Sequence, residues 1–130
     1  MNVRRALAVW GLIVLAETLH GILRQLFITP VMGDLPARQL GVATGSLIIL
    51  AISCACIRWL EARTLSAQLQ TGALWVVLIV LFEITLGTLL GYTPARLLAD
   101  YDPWQGGYML AGLAFMLLSP AIAARLRRHP

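Results

Sequence analysis

The chain predicts an all-α fold of four transmembrane helices, and three observations carry that prediction. First, its 130 residues are 59% hydrophobic and 12% charged, where an ordinary soluble domain holds about 45–50% and about 25%. A soluble chain of this length cannot hide so much apolar surface. Second, four apolar stretches, at 6–28, 41–60, 73–92 and 108–126, each run about 20 residues, enough to cross a hydrocarbon core about 30 Å thick. Third, the arginines gather at the ends of those stretches.

The first stretch follows Met1-Asn2-Val3-Arg4-Arg5, which resembles the start of a signal peptide. It is too long for one, contains Glu17, His20 and Arg24, and lacks a small-residue cleavage site, so it reads as a retained first helix stopping before Thr29-Pro30. The second stretch carries Cys54 and Cys56. A C-x-C pair on a helix aims its thiols about 200° apart, a poor disulfide and a poor metal clip, so both cysteines read as small membrane-buried residues. The third stretch stops before Thr93-Pro94. The fourth has Pro120 inside it, a kink that a membrane bundle tolerates when neighbours satisfy the freed carbonyl.

Arg4, Arg5, Arg58, Arg63, Arg125, Arg127 and Arg128 fall on one side of the bilayer, against Arg38 and Arg96 on the other. The excess of basic residues in short loops marks the cytoplasmic side, so both termini are expected inside. The absence of lysine points to a GC-rich bacterium, and the inner membrane follows as the location. The net charge of +4 does not indicate nucleic acid, because its arginines are membrane flanks. Trp10, Trp59 and Trp75 near one interface, and Tyr92, Tyr101, Trp104 and Tyr108 near the other, are expected to form aromatic belts. Glu17 and Glu83, the two Thr-Pro pairs, and Pro-Ala-Arg at 36–38 and 94–96 suggest a tandem repeat of two helix hairpins. Such hairpins would be related by an axis along the membrane normal.

Glu17 and Glu83 lie near the middle of their stretches. A charged side chain there costs about 2.5–3.5 kcal/mol on insertion scales, so both are expected to face the bundle interior and to be paired or protonated. Glu17, His20 and Arg24 fall at i, i+3 and i+7, one helix face. They read as a buried polar path rising toward the outer surface, with Arg24 close enough to the edge to snorkel. A carboxyl and an imidazole one turn apart can relay a proton. Glu-x-x-His is also one element of a di-metal bundle, but Leu86 stands where the second histidine would be. A bis-histidine haem fails because His129 is in the tail. The competing possibility is that these groups only fix helix packing. No metal, cofactor or catalytic residue is assigned. With no nucleophile motif and no complete metal set, the chain reads against being an enzyme.

Gly41 with Gly45, and Gly87 with Gly91, form small-xxx-small patterns for close helix packing, within the chain or between copies. The outer loops, 29–40 and 93–107, carry Asp34, Arg38, Arg96, Asp100, Asp102 and Trp104. These make either an interfacial cap or a docking surface for a partner.

The stretch Val14-Leu15-Ala16-Glu17 resembles the small multidrug resistance exporters, which carry a membrane-embedded glutamate in helix one of a four-helix chain. The resemblance covers that helix and the overall plan; Arg24 and the long outer loops depart from it. The leading expectation is a transport-type inner-membrane protein that couples a proton or cation to movement of a small solute, acting through Glu17, His20, Arg24 and Glu83. The alternative is a non-catalytic accessory or assembly subunit of a larger membrane complex. Either way a homo-oligomer or other membrane subunits are expected as partners, since two carboxylates at one depth call for more shielding than four short helices offer.

Overall fold

A computed structural model describes residues 1–99, 102 and 108–128. Asp100 and Trp104, expected in the outer-loop surface, lie outside the described residues, as do Tyr101 and His129. Every described element is helical: α1 (Val3–Leu23), a π-helical turn (Arg24–Ile28), α2 (Thr29–Met32), α3 (Asp34–Leu60), α4 (Leu65–Leu89), α5 (Pro94–Ala99) and α6 (Met109–Arg128). Four spans are long and apolar enough to cross a membrane: Val3–Met32, Asp34–Leu60, Leu65–Leu89 and Met109–Arg127. Both termini therefore sit at one end of the bundle.

The first helix does not stop at Thr29-Pro30. Proline has no N–H to offer the carbonyl four residues back, and here the ladder widens to a π turn in which Thr29 N–H reaches the Arg24 carbonyl. The helix then continues to Met32, and Gly33, at φ 88°, makes the break. The outer loop expected over 29–40 is therefore mostly helix, because α3 begins at Asp34 with Pro36 in its first turn. At the termini end, Glu61 in the left-handed conformation, φ 56°, closes α3. Thr64 Oγ1 then caps α4 by accepting from Ala67 N–H at 3.1 Å. α4 starts eight residues before the expected 73, since Ser66, Gln68, Gln70 and Thr71 interrupt the apolar run in its first two turns.

α1 packs on α3 and α4, and α6 packs on the same two helices. The bundle is thus a ring in the order α1, α3, α6, α4. A half-turn about its axis exchanges α1 with α6, so the α1–α3 and α4–α6 hairpins are not related by such an axis within this ring.

The half of the bundle nearest the termini is tightly packed. Ala6, Val9, Ile13, Ile57, Leu60, Trp75 and Ala123 are buried there. Trp75 is completely buried, not part of an interfacial belt as its position suggests, and its indole N–H donates to the Ala6 carbonyl at 2.9 Å. Trp10 meets Phe82 edge-on, with ring centroids 6.3 Å apart. Gly72 lies where the Leu117 backbone of α6 passes, leaving no room for a side chain. Arg5 joins α1 to the end of α3, donating to the Trp59 carbonyl at 2.7 Å and pairing with Glu61 at 3.2 Å. The outer faces carry exposed leucines such as Leu12, Leu15, Leu19, Leu47 and Leu81, the surface lipid requires.

Candidate functional site

The other half of the bundle holds a cavity of about 470 Å³. All four long helices contribute to it. Val14, Ile49, Ile79 and Met116 line its deepest part, next to the packed core. Glu17 and Glu83 line it from α1 and α4, His20 from α1, and Arg24 from the start of the π turn. Arg38, Tyr92, Arg96 and Tyr108 line it at the end of the bundle away from the termini.

The i, i+3, i+7 spacing does bring Glu17, His20 and Arg24 to one face, and that face lies on α3. Gly45 is buried, and a Cβ there would stand 2.7 Å from Glu17 Oε2. A Cβ at Gly41 would stand 3.2 Å from Arg24 Cδ and 3.4 Å from its Nη1. Between them Thr44 Oγ1 lies 2.6 Å from His20 Nε2. The small-residue spacing on α3 thus seats the polar face of α1. Thr44 is a site residue that sequence reasoning passed over; its place between Gly41 and Gly45, on the same helix face as the two glycines, was the available signal.

His20 Nδ1 is 3.9 Å from Glu17 Oε2, near enough for charge interaction and too far for a hydrogen bond. Glu17 and Glu83 are within electrostatic reach of each other, as are His20 and Arg24. Two buried atoms of this group have no hydrogen-bond partner, Oε1 of Glu17 and Nε of Arg24.

The polar path is open where it was expected to be buried. The Glu17 and His20 side chains keep 24% and 23% of their surface exposed, and Glu83 is exposed. Arg24 also lies further from the helix end than expected: α1 and its continuation run eight residues past it, about 12 Å of further helix, and it lines the cavity.

Gly87 and Gly91 differ from Gly41 and Gly45. Gly87 makes room for Leu97 and Tyr92 from the segment folded over the end of α4. Gly91 has φ 84° and nothing within 4 Å of its would-be Cβ; it supplies the left-handed residue that ends the helix. Of the outer-loop group, Asp34 pairs with Arg38 at 3.0 Å and with Arg96 at 3.6 Å. Arg96 also lies over the Tyr92 ring, 5.2 Å from its centroid, and its backbone N–H is capped by Thr93. These pairs tie α5 to the start of α3 at the mouth of the cavity.

The chain matches no known family model, no curated protein and no solved structure.

Proposed function

We propose that this is a transport-type membrane protein in which the cavity is the solute chamber and Glu17 with Glu83 its proton- or cation-binding site. The observation that supports the reading is the cavity itself: about 470 Å³, within the volume range of about 300–1,000 Å³ typical of small-molecule sites, and lined by two carboxylates, an imidazole and a guanidinium inside a bundle with an apolar exterior. Intramembrane ionisable groups that face a cavity mark ion and substrate pathways. In this reading Glu17 and Glu83 share the bound proton or cation. His20, between Glu17 and Thr44, passes protons along the face, and Arg24 sets the potential above them. Both termini face the cytoplasm of a bacterial inner membrane, and the exposed leucine faces offer area for a second copy.

Reconstitution into vesicles tests this. Wild-type protein should carry a flux that responds to an imposed pH difference, and Glu17→Gln, which removes the charge and keeps the shape, should abolish it while the protein stays folded. If Glu17→Gln leaves flux untouched and instead weakens co-purification of a larger complex, the polar face is an assembly device and the transport reading fails.

A further inference from the structure

The charges along the cavity are ordered, and the order selects a ligand class. Gly41 and Gly45 are one helical turn apart, so their would-be Cβ positions are about 5–6 Å apart. Arg24 Nη1 is 3.4 Å from the first and Glu17 Oε2 is 2.7 Å from the second. The two charged heads are thus held against α3 at neighbouring stations. The His20 ring stands between them, with Cε1 3.9 Å from the Gly41 position and Nδ1 3.9 Å from Glu17 Oε2. Among the described residues no ion pair joins Glu17 to Arg24. Each keeps one buried polar atom without a partner, an acceptor on Glu17 and a donor on Arg24.

We infer that the cavity binds a small zwitterion, with its amine cation at Glu17 and Glu83 and its acidic group at Arg24. The inference rests on the solute-chamber reading above and adds the charge pattern of the solute. A lone cation would answer the carboxylates and bring no counter-charge to the Arg24 guanidinium. A lone anion at Arg24 would bring no counter-charge to Glu17. A molecule bearing both charges, separated by a few carbons, answers both stations at once with charge-assisted hydrogen bonds.

The test uses the whole chain in mild detergent and reads the thermal melt by tryptophan fluorescence. Three probes of equal carbon count separate the possibilities: γ-aminobutyrate, butylamine and butyrate. The zwitterion should bind at least about tenfold more tightly than either single-charge probe. Arg24→Gln should lower γ-aminobutyrate to the level of butylamine without weakening butylamine; Arg24→Lys, which keeps the charge, should restore part of the preference. Equal binding of butylamine or butyrate, or no shift with any of the three, overturns the inference; because this comparison uses wild-type protein, it stands even if a variant fails to fold. A Glu17-dependent flux in vesicles without a zwitterion preference would leave the transport reading standing and remove this one; loss of both would remove both.

Discussion

Glycines on α3 decide where the charges of α1 go. A methyl at position 45 would occupy space 2.7 Å from Glu17 Oε2, so Gly45→Ala must push the carboxylate off its seat. The same change at Gly11, which has nothing within 4 Å, should be silent. The expected outcome is loss of Glu17-dependent flux in Gly45→Ala with the fold intact, and wild-type flux in Gly11→Ala. Trp75 supplies a second residue-scale prediction. Trp75→Phe removes its hydrogen bond to the Ala6 carbonyl, about 0.5–1.5 kcal/mol, and leaves a void in a fully buried site, so the detergent melt should fall clearly. The identities of Glu17, His20 and Arg24, and their sharing of a face, were legible because helix spacing alone fixes them. The seat on α3 was half legible: Gly41 and Gly45 read as a contact surface, but nothing in their spacing says which helix fills it. The role of Trp75 was hidden, since an indole near a span end signals an interface equally well.

Helix ends carry the larger differences between sequence and structure. The four spans follow from apolar length and composition. Their boundaries do not, because α3 and α4 extend through turns at 34–40 and 65–72 whose polar residues break the continuous apolar run. Thr29-Pro30 reads as a stop, yet the chain absorbs it in a π turn, and the break falls at Gly33, whose positive φ only a structure displays. If Pro30 causes the π turn, Pro30→Ala restores a donor at that position and the ordinary ladder should re-form across 24–32. Amide hydrogen exchange in that segment should then slow, while exchange within 65–89 stays unchanged. Unaltered exchange in 24–32 would show that the turn has another origin. The same substitution moves the start of the π turn, where Arg24 sits, so it should also alter flux.

The bundle divides along its length into a packed half and an open half. Indole, aliphatic and backbone contacts close the half near the termini, around Trp75, Ile13 and Leu60; the cavity occupies the other half, with Arg38 and Arg96 paired to Asp34 at its mouth. Access to the cavity is therefore one-sided in this conformation, and transport would require the Trp75 layer to open. Cysteine labelling measures that asymmetry directly. In a background with Cys54 and Cys56 changed to serine, a membrane-impermeant thiol reagent is applied to Glu83→Cys in vesicles of each orientation. Labelling from the Asp34 side and protection from the termini side is the predicted result. Protection from both sides, or labelling only from the termini side, would contradict a cavity that brings the Glu83 position to water at the Asp34 end.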